Sequence, residues 1–257
     1  MKHIAVIIRG HLRTWNYTKQ VSFDFYDSIA DNVDYYFATW QIYDPVVMHN
    51  VEKDFEGKNL IKLLTLPVNV DNYNGWIGPG LSNYLLIPYK KQREKQIQIT
   101  YDAVFDTRPD ILPYMHPVPA IPPEPRTLYT TYFNNQREML YDPKSEFHIG
   151  LGDHFFMMTS EVHDIISQRY ILKAAHGPHI ELQRMCESAG INVCNLSWAS
   201  AEITRPNCMD EVPDPSKYYT VQRSEWGSIS SEKKKECLLR HNIKLEDYIT
   251  NSLTSGL

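Results

Sequence analysis

The stretch that decides the fold is residues 4–40, which begins IAVIIRG (4–10) and ends VDYYFATW (33–40). The apolar run at residues 4–8 is short, continuous and rich in β-branched residues, which is typical of a strand buried on both faces. The second segment is rich in aromatic residues, which favour strands. The two ends of the stretch therefore predict two strands.

A helix is predicted between these strands. Four apolar residues recur at every fourth position and form one stripe: Tyr17, Val21, Phe25 and Ile29. Asn16 is of a type that caps helices. A strand, a helix and a strand within forty residues form a βαβ unit, so we expect a parallel sheet with a right-handed crossover. The predicted fold class is α/β, with a mostly parallel sheet flanked by helices.

Further along the chain, the clearest pattern is a helix at residues 178–189, with a proline at its first position and a glycine just past its end. Residues 60–64 predict a short helix. The charged run at residues 90–95 predicts the solvated face of another helix. The six prolines of residues 112–126 predict irregular structure. The tail from Pro206 onward is predicted to be loop-like until a last helix that begins near residue 231.

Composition narrows the class of protein. The 257 residues carry a net charge of −5 and no long basic run, which argues against a nucleic-acid partner. The first apolar run is too short for a signal peptide, and no stretch has the ~20 apolar residues of a membrane span. The four cysteines match no zinc spacing, so we expect reduced thiols and a cytoplasmic location.

Open α/β sheets bind ligands at the carboxyl ends of their strands, so polar residues that follow apolar strands are the first candidates for a site. Gly10 follows the first strand and lets a ligand approach the backbone, and Arg13 can bind a diphosphate through its planar fork. A surface ion pair is the alternative for Arg13.

The segment DTRPD (106–110) is the second candidate. If the strand stays extended, Asp106, Arg108 and Asp110 share one face, because side chains alternate along a strand. Three charges are too costly to bury alone, so they require each other, a metal or a charged ligand. Carboxylates commonly hold Mg²⁺ or Mn²⁺ against phosphates. A structural Asp–Arg pair is the alternative.

Two later carboxylates are candidates for acid–base work. Asp153 lies in a glycine-flanked segment, GLGDH (150–154), where it can bind sugar hydroxyls or act as a general base. An Asx turn is the alternative for Asp153. Glu181 lies near the start of the helix at 178–189, where it either faces a cleft or stabilises the helix dipole.

The order of these pieces resembles a group of small glycosyltransferases found in capsule, lipopolysaccharide and viral glycan clusters, which look like GT-A-type enzymes with a Rossmann-like half. The resemblance spans residues 4–205 and rests on the following residues: Gly10, Arg13, Val33, Asp34, Thr39, Trp40, Tyr101, Asp102, Arg108, Pro109, Asp110, Asp153 and Glu181.

The resemblance implies roles for individual residues. Gly10 and Arg13 would contact the nucleotide, and Trp40 would lie near its base or ribose. Asp110 would stand beside a Mn²⁺ or Mg²⁺ ion and the diphosphate, where GT-A enzymes place a D-x-D motif. The sequence departs from that motif because Arg108 takes the middle position, so Arg108 would supply part of the metal's charge. Asp153 or Glu181 would be the base of an inverting enzyme.

The predicted activity is transfer of a sugar from a UDP- or GDP-linked donor to a glycan or other hydroxyl acceptor. We expect one GT-A-like domain over residues 1–257, with a nucleotide-sugar half at 1–110, an acceptor half at 111–205 and an extension at 206–257. A nucleotidyltransferase that acts on a sugar phosphate, and a non-catalytic glycan-binding module, are the alternatives.

Overall fold

The computed structural model describes residues 1–12, 15–40, 45–66, 77–115, 120–132, 151–168, 178–195, 199–206 and 218–221. The elements of its first half are β1 His3–Arg9, α1 Trp15–Ile29, β2 Asn32–Trp40, α2 Pro45–Asp54, β3 Asn59–Leu66, α3 Ile77–Ile97 and β4 Ala103–Thr107. Those of its second half are β5 Ile111–Met115, β6 Thr127–Tyr132, β7 Leu151–Met158, α4 Ser160–Ser167, α5 Pro178–Ser188, β8 Asn192–Asn195, β9 Ala199–Pro206 and β10 Tyr218–Val221.

Seven strands form the main sheet, in the order β3-β2-β1-β4-β7-β6-β8. The pairs β1–β2, β1–β4, β2–β3 and β6–β8 are parallel, and both pairs that involve β7 are antiparallel. Strand β7 therefore runs against the other six. The expected mostly parallel α/β sheet is confirmed, and so is the βαβ unit formed by β1, α1 and β2.

Alternation along the central strand divides the core into two layers. Ile4, Val6 and Ile8 of β1 pack with α1 and α2 on one face of the sheet. Ala5 and Ile7 pack with α3, α4 and α5 on the other. Because β1 is fully covered on both faces, its continuous apolar run has a direct physical reason.

Helix α1 begins one residue before the predicted cap, since Trp15 already lies in it and Asn16 is its second residue. The prediction of Asn16 as the cap is therefore wrong. Val21 and Phe25 of the predicted stripe are buried. The Trp15 ring packs edge-on against Phe37 at 5.0 Å between centroids, and aromatic packing of this kind anchors the helix on β2.

Three other predictions are corrected by sheet pairing. Residues 60–64 belong to strand β3 rather than a helix, because a short apolar run carries no periodicity that separates the two. Within the proline-rich segment, β5 pairs with β9 in a separate sheet of order β10-β9-β5, where Pro113 is tolerated because β5 is an edge strand. Strand β10 interrupts the tail that was predicted to be loop-like, and residues 222–257 lie outside the described residues.

Helix α5 ends where its sequence pattern predicts. It spans Pro178–Ser188, and Gly190 has a φ of +61°, the left-handed conformation that glycine adopts readily after a helix. Leu182, Met185 and Cys186 are buried as expected. In the part of the chain that the structure describes, no helix combines the length and the apolar character that crossing a membrane requires.

Candidate functional site

The strand order reverses at the carboxyl ends of β1 and β4, the position at which open α/β sheets form a crevice. From β1 the chain proceeds to β2 and β3 on one side, and then crosses back to β4 on the other side of β1. In open α/β sheets, ligands bind at such a point of reversal. Ile8 pairs with Thr107, so the residues after the two strands, Gly10 and Arg108, lie at the same edge.

Gly10 brings the two loops of this edge into contact. Its φ is +134°, a backbone conformation that residues other than glycine rarely adopt, and an added Cβ would lie 3.4 Å from Pro109 Cδ. The Gly10 amide donates to Ala38 O at 3.0 Å, and Thr18 Oγ1 of α1 donates to Pro109 O. The backbone at this edge is thus held from both sides, and glycine at position 10 lets Pro109 pack closely against it.

A buried ion pair joins the two strands near this edge. Arg9 Nε donates to Asp106 Oδ1 at 2.5 Å, and Asn83 Nδ2 of α3 donates to Asp106 Oδ2 at 2.5 Å. All three residues are buried. Breaking a buried pair on one side is costly because it leaves a charge without its counterion. The cluster therefore fixes the relative position of β1, β4 and α3.

A second guanidinium–carboxylate pair lies in the loop after β4. Arg108 Nε donates to Asp110 Oδ1 at 2.8 Å, and Arg108 Nη2 donates to Asp110 Oδ2 at 2.6 Å. The Arg108 side chain is 18% exposed and the Asp110 side chain 2%. Two parallel bonds hold the guanidinium plane in one orientation. This pair corresponds to the structural alternative that the sequence left open.

The shared face expected for Asp106, Arg108 and Asp110 does not form. Strand β4 ends at Thr107, and a turn follows at residues 109–110, so the alternation of side chains stops before Arg108. Asp106 turns to Arg9 and Asn83 on the α3 face, whereas Asp110 turns to Arg108. The three charges belong to two separate clusters.

The described residues do not fit the divalent cation that the resemblance implies. Mg²⁺ requires oxygen ligands in near-octahedral geometry. Both oxygens of Asp110 accept hydrogen bonds from Arg108, and both oxygens of Asp106 accept hydrogen bonds from other side chains. No group of three His, Cys, Asp or Glu side chains among the described residues is arranged to hold a metal.

Thr39 Oγ1 and Asn83 Oδ1 are among the buried polar atoms near this edge that have no hydrogen-bond partner among the described residues. The orientation of the Asn83 amide is set by Asp106, because a flipped amide would turn its oxygen towards the carboxylate. Such atoms are uncommon in proteins and usually mark a bound water or ligand group.

The predicted acid–base residues lie on elements that lead to this edge. Asp153 is in β7, not in a turn, and β7 is antiparallel to β4 with Phe155 opposite Thr107. Residues before Phe155 thus extend past the carboxyl end of β4. Helix α5 ends beside the start of β6, where Asn192 N donates to Arg126 O, so its first turns, with Glu181, lie further towards the carboxyl edge.

The side chains of several predicted site residues lie outside the described residues: Trp40, Asp153 and Glu181. Arg13 lies outside them entirely. Their predicted roles stay predictions. Sequence reasoning missed Arg9 and Asn83. Arg9 stands at the end of an apolar strand, and its even spacing from the buried Ala5 and Ile7 would have placed it on the α3 face.

The amino ends of the strands carry a second buried carboxylate, Asp34. Its Oδ2 accepts from Arg93 Nε at 2.9 Å and Tyr101 OH at 2.7 Å, and lies 3.2 Å from His3 Nε2. Asn59 Nδ2 donates to its other oxygen. Burial alone would raise the pKa of Asp34, but these donors outweigh burial and lower it. A cavity of about 340 Å³ opens beside this cluster.

A third polar cluster lies between α3 and α4. Lys90 Nζ lies 3.0 Å from Asp164 Oδ1 and donates to Ser160 Oγ, and its side chain is fully buried. Burial would raise the pKa of Asp164, but His163 and the charge of Lys90 lower it to about 2. This corrects the prediction of a wholly solvated face for residues 90–95, because Lys90 and Arg93 both turn inward to acids.

The chain was compared with protein-family models and with curated protein sequences, and neither comparison gives a match.

Proposed function

We propose that this protein is a glycosyltransferase that moves a sugar from a UDP- or GDP-linked donor to a hydroxyl group of a glycan acceptor. The observation that carries the proposal is the reversal of the strand order between β1 and β4, with Gly10 and Arg108 at the edge of the sheet where it occurs. A close backbone approach and a fixed guanidinium suit a diphosphate. The resemblance of the ordered segments to GT-A-type enzymes is the reason to propose that this diphosphate carries a sugar.

In the proposed reaction the donor diphosphate lies over Gly10, with Arg108 and Arg13 beside it and Trp40 near the base. The bond between the anomeric carbon and the phosphate oxygen breaks, and its electron pair leaves with the nucleoside diphosphate. The acceptor oxygen forms the new bond to that carbon. Fixed positive charge at the leaving oxygen lowers the barrier because negative charge develops there.

The acceptor proton requires a base if the configuration at the anomeric carbon is inverted. Asp153 and Glu181 are the proposed candidates, because β7 and α5 lead to the same edge as β1 and β4. A carboxylate within hydrogen-bond reach of the acceptor hydroxyl takes its proton as the new bond forms. The proposal assigns residues 1–110 to the donor, residues 111–205 to the acceptor, and the reaction to the cytoplasm.

The first test uses a panel of UDP- and GDP-sugars. We expect at least one of them to raise the melting temperature of the protein and to be hydrolysed slowly without an acceptor. Saturation at ~100 times Kd corresponds to about 2.7 kcal/mol of added stability. Free sugars and nucleoside monophosphates serve as controls. Absence of both a thermal shift and hydrolysis across the whole panel would contradict the proposal.

The second test removes the candidate bases one at a time. Asp153→Asn or Glu181→Gln is expected to slow transfer by ~10²-fold or more if the residue is the base, since general-base catalysis commonly contributes that much. Donor affinity should change little. Pyrophosphate release from a nucleoside triphosphate and a sugar phosphate would indicate the alternative nucleotidyltransferase. Glycan binding that neither variant affects, without turnover, would indicate a binding module.

A further inference from the structure

We infer that the carboxylates of the crevice serve as guanidinium clamps and that nucleoside diphosphates bind there without a divalent cation. The inference rests on the proposed function and departs from what the resemblance implies for Asp110. Its basis is the occupancy of the carboxylate oxygens at the two positions, 106 and 110, where the sequence offers metal ligands.

Asp110 is committed to Arg108 by both oxygens. The two bonds are parallel and 2.8 and 2.6 Å long, the geometry of a charge-assisted fork. Asp110 is 2% exposed, so a cation could reach it only if the fork opened and Arg108 moved. That exchange would place a divalent cation beside a displaced guanidinium, and the two positive charges would repel each other.

Asp106 is committed in the same way on the opposite side of β4. Its oxygens accept from Arg9 and Asn83, and its side chain is fully buried. A cation in this position would lie inside the core, under α3, away from the edge at Gly10. The two carboxylates face different clusters, so they do not converge on one point as a pair of metal ligands must.

The charge of the crevice supports the same inference. Each carboxylate is matched by one arginine, so the described part of the crevice presents no net negative charge that would attract Mg²⁺ or Mn²⁺. The Arg108 side chain is 18% exposed and that of Arg9 is fully buried, so Arg108 is the arginine nearer to a ligand at the edge of the sheet.

The decisive measurement is the affinity for UDP and GDP, by calorimetry, in EDTA and in Mn²⁺. We expect the two Kd values to agree within about threefold for the nucleotide that binds. A gain of about tenfold or more in Mn²⁺, equal to 1.4 kcal/mol, would overturn the inference while leaving the proposed function intact. Absence of binding under both conditions would overturn the proposed function and the inference with it.

Variants separate a clamp from a metal ligand. Asp110→Asn keeps one acceptor for Arg108 but loses the fork, so we expect the same loss of UDP or GDP affinity in EDTA and in Mn²⁺. Electron paramagnetic resonance should show equally weak Mn²⁺ binding by wild type, by Asp110→Asn and by Asp24→Asn, an exposed carboxylate of α1. Mn²⁺ binding that only Asp110→Asn weakens would overturn the inference.

If Asp110→Asn does not fold, Arg108→Lys provides the same test. Lysine keeps the positive charge but cannot form the fork. We expect it to weaken UDP or GDP binding by about tenfold in EDTA, a loss that Mn²⁺ does not restore. Unchanged affinity in EDTA, or restoration by Mn²⁺, would overturn the clamp. Circular dichroism at each step confirms that the variant is folded.

Discussion

Two buried carboxylates lie under the same helix, one at each end of it. Asp106 is beneath the start of α3, where Asn83 bonds to it, and Asp34 is beneath the end, where Arg93 bonds to it. Both are on the same face of the sheet and both are almost completely buried. They differ in what surrounds them.

The amino-end cluster is built for stability. Asp34 accepts hydrogen bonds from three donors on different parts of the chain, Arg93 Nε, Tyr101 OH and the Asn59 amide, and the last two are neutral. Tyr36 extends the network through a phenol–phenol contact of 2.8 Å. A buried hydrogen-bond network of this kind rigidifies a fold. In the carboxyl-end cluster, Asn83 Oδ1 has no hydrogen-bond partner among the described residues, and the cluster lies near Gly10, where the strand order favours a ligand.

Under the proposed function, the amino end contributes to stability alone, whereas the carboxyl end also holds the nucleotide site. Variants at the carboxyl end should therefore change both stability and nucleotide binding. Variants at the amino end should change stability alone.

The largest effect is expected for Arg9→Met. Asp106 would remain buried without its Arg9 counterion, so we expect the free energy of unfolding to fall by about 3–5 kcal/mol. Urea unfolding monitored by fluorescence measures this change. UDP and GDP binding should also weaken, because β1 and β4 lose the bond that aligns them.

The triple variant Arg9→Met, Asp106→Leu, Asn83→Leu is the matched control. Replacing a buried ionic cluster by apolar residues of similar volume is often neutral for stability, so we expect most of the loss to be recovered. Nucleotide binding should stay impaired. If binding returned together with stability, the carboxyl end would have no role beyond folding, and the contrast between the two ends would disappear.

Asp34→Asn should have the next largest effect. The amide keeps one acceptor oxygen but places an NH₂ group where Arg93 or Tyr101 donates, so we expect a loss of about 1–3 kcal/mol. Affinity for UDP and GDP in the folded protein should be unchanged. Asp31→Asn, an exposed neighbour at the same edge, should be neutral. A change in nucleotide affinity would contradict the division of roles between the two ends.

The polar cluster between α3 and α4 predicts a pH dependence. Because the pKa of Asp164 falls from 3.8 to about 2 on folding, its contribution is complete above pH 4 and is lost as pH falls towards 2, about 2 kcal/mol in all. Burial lowers the pKa of His163, so the unfolded chain binds that proton more readily and stability declines below about pH 6.5. Urea unfolding measured at a series of pH values tests this, and the loss of stability between pH 4 and 2 should be absent in Asp164→Asn.

The smallest effect is expected for Lys91→Met. Lys91 and its neighbour Lys90 both contact Asp164, at 3.1 and 3.0 Å, but Lys91 is 60% exposed and Lys90 is fully buried. We expect Lys91→Met to change the free energy of unfolding by less than about 0.5 kcal/mol, because exposed pairs contribute little. Lys90→Met should cost several times more. Equal losses of stability in the two variants would mean that burial does not decide how strongly each lysine–Asp164 pair stabilises the protein.

Sequence predicted the parts of the fold that local pattern determines. The run at residues 4–8 is continuous and rich in β-branched residues, which favours a buried strand, and α5 has a proline at its start and a glycine just past its end. Residues 60–64 hold four apolar residues around Lys62, three of them leucines, and such a short segment fits a strand and a helix equally well. The sheet resolves that ambiguity only through the pairing of β3 with β2.

The sequence predicted that Gly10 and Arg108 lie at one edge of the sheet, but not which charged groups pair around them. Strand ends located Gly10 and Arg108 at one edge, and the structure describes both there. Which arginine meets which carboxylate depends on pairing between strands that are far apart in the chain, and on where β4 stops. Nothing local indicates that Asn83 reaches Asp106, 23 residues away, or that Lys90 turns inward to Asp164 of another helix.

The central position of β1 has a consequence for how the chain is made. Arg9 and Asp106 are 97 residues apart, so at a synthesis rate of ~5–20 residues per second the arginine waits roughly 5–20 s for its counterion. During that interval β2 and β3 can already join β1, which leaves one long apolar edge uncovered. Contacts between residues that are far apart in the chain also form slowly, even after both residues have been synthesised. We therefore expect the nascent protein to depend on chaperones until β4 has emerged.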